Sequence, residues 1–226
     1  MELNSDFSQR VVVHGDRLEW LPSPMAGVER RMLDRIGDEV ARATTIVRYA
    51  PNSKFSPHIH SGGEEFVVLD GIFQDEYGDY PAGSYVRNPP QSNHTPGSDK
   101  GCTIFVKLWQ FDLQDRQGIR ISADEMSVTK DPKRLGVLVT PLHKDEREEV
   151  RIETWSANTE VTIDAPGGAE VLVLEGSFIE GEDELTINSW LRVPMDSQIV
   201  ASAGDEGAKV WLKTGHLSFV SVPSPQ

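Results

Sequence analysis

The segment Pro57-His58-Ile59-His60-Ser61-Gly62-Gly63-Glu64-Glu65-Phe66-Val67-Val68-Leu69-Asp70-Gly71 carries two signals at once. Residues 66–69 are a continuous apolar run of strand length, which meets Asp70-Gly71, a hairpin signal, and resumes as Ile72-Phe73. Just before it, His58 and His60 stand two apart, so in a strand both side chains leave the same face. The Ser61-Gly62-Gly63 turn is flexible enough to bring Glu64 back to the same centre. A further histidine, His94, follows Asn88-Pro89-Pro90 in a polar stretch. Three imidazoles and a carboxylate are a good ligand set for a divalent first-row metal.

The rest of the chain repeats the strand signal. Residues 44–49 (TTIVRY) are β-branched and end at Ala50-Pro51, and residues 103–111 (TIFVKLWQF) form a third strand. Helical periodicity is weak throughout. The best local candidate, residues 26–38, reads equally well as a strand with a loop. The 19 glycines and 14 prolines fall between short runs of Val, Ile, Thr, Phe and Tyr, the pattern of a β-barrel or sandwich.

The sequence also repeats itself. Gly62-Gly63-Glu64-Glu65-Phe66-Val67-Val68-Leu69-Asp70-Gly71-Ile72-Phe73 lies over Gly167-Gly168-Ala169-Glu170-Val171-Leu172-Val173-Leu174-Glu175-Gly176-Ser177-Phe178 at an offset of 105 residues. The same offset places Tyr85-Val86-Arg87-Asn88-Pro89 over Trp190-Leu191-Arg192-Val193-Pro194. Two copies of one β unit are expected, at residues 1–122 and 123–226, with a soft boundary in the polar stretch 122–131. Under this offset His58, His60, Glu64 and His94 fall on Ile163, Ala165, Ala169 and Ile199. The second copy is therefore expected to bind no metal and to fill its interior with side chains. Glu65 falls on Glu170, which suggests one structural job in both copies.

Bulk composition sets limits. A formal net charge of −14 over 226 residues disfavours binding to phosphate backbones. The single cysteine, Cys102, excludes an internal disulfide and a thiolate zinc cluster. Cys102 is expected to be packing rather than a redox sensor. No stretch reaches the roughly 18 apolar residues of a membrane span, and the polar N-terminus has no signal-peptide core, so a cytoplasmic location is expected. His14, His143 and His216 are given no role.

The spacing His58-x-His60-x-x-x-Glu64 with Gly71 resembles the first motif of the cupin family. Gly83, Pro89 and His94 are similar to the second, although Gln91 and Ser98 depart from its usual glycine and asparagine. Residues 45–110 resemble the ChrR-like group most closely, through the segment quoted first, through Asp75-Glu76-Tyr77-Gly78-Asp79-Tyr80-Pro81-Ala82-Gly83-Ser84-Tyr85-Val86-Arg87-Asn88-Pro89-Pro90 and through residues 101–107. The resemblance implies an all-β fold of two tandem cupin (double-stranded β-helix, or jelly-roll) barrels. It also implies one divalent metal per chain on His58, His60, Glu64 and His94, zinc first, with iron, manganese or nickel as alternatives. ChrR proteins are zinc-binding anti-sigma factors of the singlet-oxygen and oxidative stress response, whose cupin half is the sensor. Their sigma-binding half is an N-terminal helical domain with its own zinc, and fewer than 60 residues precede the metal motif here, with one histidine and no cysteine. The expected form is a bicupin lacking that domain.

Two functions from different classes follow. One is a metal-binding regulator or sensor. The other is a metal-dependent cupin dioxygenase or related enzyme acting on a small oxygenated organic molecule, with Phe55, Phe66, Tyr85, Phe105 and Trp109 lining an apolar pocket. No dedicated general base is found, so whether the chain is an enzyme stays open. A small molecule at the metal, a sigma factor and a second copy of the chain are the partners considered; nucleic acid and membrane are not.

Overall fold

A computed structural model describes residues 1–38 and 40–223. The described chain is all β. Its only helical pieces are short 3₁₀ turns at Gly15–Arg17, Ala123–Glu125 and His216–Phe219. The chain forms two compact units. The first comprises Met1–Ser5, Glu19–Met126 and, of the described residues, 221–223, and the second comprises Asp6–Leu18 and Ser127–Val220. These units differ from a simple division into 1–122 and 123–226 in their N-terminal segment. Val11–His14 pairs with Ser189–Val193 and so completes the second unit's sheet.

In the first unit an open antiparallel path runs Glu2–Leu3, Val28–Gly37, Ala41–Tyr49, Cys102–Leu108, Glu64–Asp75, Tyr85–Asn88, Ile119–Ile121. Residues 26–38, the one helix candidate, are thus mostly the strand Val28–Gly37. Along Glu64–Asp75 the inward residues Phe66 and Val68 join Phe73, Tyr80, Val86, Cys102, Ile104 and Val106 in one buried apolar cluster. Each large side chain there contributes about 1.5–3 kcal/mol by leaving water.

Asp70-Gly71 is not a hairpin. The strand continues straight through Gly71 to Asp75, with a register shift against Thr103/Ile104. The extra residue explains why the inward positions are even before it (Phe66, Val68) and odd after it (Phe73). Gly71 has φ +72°, and a Cβ there would lie 2.1 Å from the Gly101 carbonyl oxygen. Close backbone approach, rather than a chain reversal, requires the glycine.

The opposite face of this sheet is charged yet buried. Glu65 is opposite both Arg87 and Lys107 on its two neighbouring strands, and each is at most 2% exposed. Glu65 accepts a hydrogen bond from the Tyr85 hydroxyl at 2.5 Å. Arg87 donates to Asp115 at 2.5 Å, and Lys107 donates to the Thr44 hydroxyl at 2.8 Å. Buried charges persist only when paired in this way.

The second unit repeats the plan. Its sheet runs Thr129–Lys130, Val137–Lys144, Glu149–Trp155, Ser197–Thr214, Ala169–Glu180, Ser189–Val193, Val11–His14, and Glu160–Ala165 pairs with Ser197–Thr214. Glu170 is opposite Arg192 and Lys213, as Glu65 is opposite Arg87 and Lys107. It accepts hydrogen bonds from the Trp190 indole at 3.1 Å and His216 at 2.8 Å. The shared structural job expected of Glu65 and Glu170 is therefore to anchor this buried polar layer. Ile163, Ala165, Ala169 and Ile199 all lie in the second unit's apolar core.

Candidate metal centre

The two-residue ladder His58–Ile59 with Asn93–His94 sets His58 directly opposite His94. His60 follows after one residue, and the chain then turns at Gly62-Gly63 into Glu64. The turn has little freedom in composition. A Cβ on Gly62 would lie 2.1 Å from the Trp109 ring; Gly63 has φ +79°, and its Cβ would lie 2.4 Å from the Phe111 ring. The two aromatic rings therefore lie against the backbone that presents Glu64.

The three imidazoles converge, with one ligating nitrogen from each within 4.8 Å of the others. Their ring centroids are 4.7–5.1 Å apart. Glu64 reaches two of the three. Its Oε2 is 3.4 Å from His60 Nε2 and 3.6 Å from His94 Nε2. His60, Glu64 and His94 are buried, whereas His58 stands at the more open rim with its Nδ1 3.3 Å from the Ser56 carbonyl oxygen.

Among the described residues, the buried Nε2 atoms of His60 and His94 have no hydrogen-bond partner. An unpaired buried nitrogen is costly. Two of them aimed at one carboxylate oxygen are what a cation would satisfy, so the donor set fits a divalent metal. Burial lowers the pKa of His60, partly opposed by Glu64, which keeps its lone pair free for a metal near neutral pH. Burial pushes His94 the same way, but the Asp75 hydrogen bond and the Glu64 charge outweigh it and raise its pKa.

Sequence reasoning missed the groups behind these ligands. Asp75 Oδ2 lies 3.2 Å from His94 Nδ1, and Asn88 Nδ2 donates to Glu64 Oε2 at 3.1 Å. Such partners fix a ligand's tautomer and orientation. One signal for Asn88 was present. At the repeat offset it becomes Val193, so it is polar in the copy with ligands and apolar in the copy without them.

Three of the four candidate ligands, His58, His60 and Glu64, border a cleft of about 320 Å³ together with Arg35, Val40, Ala41, Leu108 and Trp109, among others. A larger depression of about 490 Å³, bordered by Pro22, Met25, Arg48 and Pro51, contains none of the candidate ligands. Of the aromatic residues expected to line a pocket, Trp109 does so. Phe66 lies in the inner cluster, and Phe55 packs on Tyr49 at 5.2 Å. Tyr85 and Phe105 instead belong to the opposite face, where Tyr85 binds Glu65 and the Lys107 ammonium lies 6.0 Å from the Phe105 ring. Strand parity at those two positions puts them with the charged layer.

Cys102 is buried and free, and burial pushes its thiol up to about 11. A thiol so rarely ionised is an inert packing group. His14 pairs with Ser189 and His143 with Asp145, away from the ligand cluster.

Residues 8–112, just under half of the chain, match the family described as the ChrR cupin-like domain. Likeness in three dimensions extends further. A candidate dioxygenase from Nostoc punctiforme PCC 73102 superposes with a TM-score of 0.77 at 16% identity, covering 97% of this chain and 88% of that one. A cupin 2 conserved barrel domain protein from Leptotrichia buccalis gives 0.59 at 14% identity, covering 91% and 96%. The bacterial pirin of Escherichia coli in complex with nickel(II) gives 0.64 at 13% identity, covering 91% and 98%. At these identities the likeness shows a cupin fold and nothing about activity. A comparison with curated proteins finds no match. No helix among the described residues is long and apolar enough to cross a membrane.

Proposed function

We propose that this chain is a metal-binding cupin regulator or sensor, built as two tandem cupin units with one zinc ion held by His58, His60, Glu64 and His94 of the first. The observation that carries this reading is the pair of partnerless buried Nε2 atoms on His60 and His94 beside Glu64 Oε2. Three imidazoles and a carboxylate are four protein ligands, enough to close a tetrahedral zinc site. The match of residues 8–112 to the ChrR cupin-like domain supports a sensing role. Association with a sigma factor, a homodimeric state and a cytoplasmic location belong to the same reading. Here the metal supplies a fixed positive centre, and the chain's own residues orient the ligands and hold the pocket in shape.

A second reading is favoured by the cleft. His58, His60 and Glu64 border a space of about 320 Å³ that a small molecule could enter, and the fold is shared with a candidate dioxygenase. On this reading the metal is iron, manganese or nickel, and a small oxygenated organic substrate binds beside it.

Metal analysis of protein purified without added metal separates the two. Zinc in a four-coordinate environment by X-ray absorption supports the sensor. Iron or manganese with exchangeable water, together with dioxygen uptake on adding a panel of small oxygenated organic molecules, supports the enzyme and rejects the sensor. Pull-down with sigma factors encoded nearby and light scattering of the purified chain test the partner and the dimer.

A further inference from the structure

We propose that Arg120 is a positioning residue for the metal centre, which orients the Glu64 carboxylate through Asn88. The inference rests on the metal reading of His58, His60, Glu64 and His94 and goes beyond it. Two hydrogen-bonded arms leave the guanidinium. On one arm, Arg120 Nη2 donates to Asn88 Oδ1 at 3.3 Å, and Asn88 Nδ2 donates to Glu64 Oε2 at 3.1 Å. On the other, Arg120 Nε donates to the Tyr80 hydroxyl oxygen at 3.1 Å. Asp75, whose charge acts on the Tyr80 phenol, faces His94 Nδ1 through its Oδ2 at 3.2 Å. The arms meet again where His94 Nε2 and Glu64 Oε2 stand 3.6 Å apart.

Arginine donates and never accepts. The Asn88 oxygen must therefore face Arg120, which turns the Asn88 amino group toward the Glu64 carboxylate. A flipped amide would set oxygen against oxygen. On the other arm Tyr80 accepts from Arg120, so its own hydroxyl proton is directed away from the guanidinium. Burial and the Asp75 charge push the Tyr80 phenol up to about 12, so that proton is present. Asp75, as a carboxylate, can only accept, so His94 donates through Nδ1–H, and a neutral His94 ring then carries its lone pair on Nε2, the atom aimed at the metal position. One donor-only side chain thus sets the orientation of the Glu64 carboxylate through Asn88, while Asp75 sets the tautomer of His94.

A second, independent observation links these arms to the metal rather than to the fold. At the 105-residue offset Tyr80 becomes Leu185 and Asn88 becomes Val193, both buried in the apolar core of the second unit. The arms are absent in the copy that has lost the ligands, while the charged layer of Glu65 and Glu170 is kept in both. Arg120 itself is on the surface, in Ile119–Ile121, with its guanidinium 4.3 Å from the Tyr77 ring centroid. Replacing it opens no core cavity.

The test compares the wild-type chain with Arg120→Gln, Arg120→Lys and His60→Ala, using zinc affinity by competition with a chromophoric chelator and the visible spectrum of the cobalt(II) form. Glutamine can offer an oxygen and breaks the donor-only rule, whereas lysine keeps it with poorer geometry. Arg120→Gln is expected to weaken zinc by about 10–100-fold and to change the cobalt spectrum. Arg120→Lys should recover part of the loss, and the melting temperature of both metal-free variants should stay at the wild-type value. Wild-type affinity and spectrum in Arg120→Gln, with binding abolished in His60→Ala, would overturn the role of Arg120 and leave the metal reading standing. An affinity loss matched by a lower metal-free melting temperature would make Arg120 merely structural and also overturn it. A wild-type chain that binds neither zinc nor cobalt would overturn both.

Discussion

His58 and His94 lie directly opposite each other across a two-residue antiparallel ladder, and Ile163 and Ile199 occupy the same pairing in the second unit. The correspondence extends to Glu64 opposite Asn88 and Ala169 opposite Val193. One strand framework thus carries a polar constellation in one unit and a packed apolar core in the other. The framework does not need the ligands in order to fold, so ligand variants should lose metal without unfolding.

The turn that presents Glu64 gives a paired prediction. Gly63→Ala places a Cβ against Phe111 in a left-handed backbone, and Gly168→Ala does the same against Leu217. Each should cost about 1–3 kcal/mol of stability, read as a lower denaturation midpoint. Only Gly63→Ala should also weaken metal binding, because only that turn leads into a ligand. Equal metal affinity in both variants would show that Glu64 does not depend on this turn.

Asp75 should matter through His94. Asp75→Asn keeps an acceptor in place but removes the charge that orients the imidazole, and metal affinity should fall about 10–100-fold. Isothermal titration of the metal-free protein measures this directly. Unchanged affinity would remove Asp75 from the account of the site.

Much of this was legible in the sequence, and the limits have physical causes. The convergence of His58, His60 and His94 was legible because period-two spacing and a glycine turn are local properties, and the apolar filling of the second copy because the repeat is ungapped. Asp70-Gly71 misled because its glycine answers to a neighbouring backbone, Gly101, which local turn chemistry does not reveal. Asp75, Tyr80 and Arg120 were missed as a group because what joins them is a chain of contacts among three strands. Tyr85 and Phe105 were assigned to a pocket on aromatic character alone, when their parity places them on the charged face.

Cys102 should be nearly unreactive in the folded protein. With its thiol pushed up to about 11, the thiolate is about one part in a thousand at pH 8. Alkylation by iodoacetamide should be slow until denaturant is added and then fast. Rapid labelling of the native chain would reopen a redox role.

Acid should destabilise the second unit through Glu153. Burial raises its pKa, but hydrogen bonds and charge from Arg134 and Arg151 outweigh this and hold it below its ordinary value of 4.5. A carboxyl lowered in the folded state adds stability that is present above pH 4.5 and is lost as pH falls through the folded value. Unfolding midpoints between pH 6 and 3 should therefore drop, and Glu153→Gln should be less stable at pH 6 with a shallower slope. A wild-type slope in that variant would assign the acid sensitivity elsewhere.

The proposed site holds a single divalent metal on His58, His60, Glu64 and His94. Elemental analysis of the chain after reconstitution with zinc, manganese, iron, nickel or cobalt, followed by removal of free ions, tests it most directly. One ion per chain is expected in the wild type and close to none in His60→Ala, with both proteins folded by circular dichroism. An unchanged ion content in His60→Ala, two ions per chain, or none with any of these metals would contradict it.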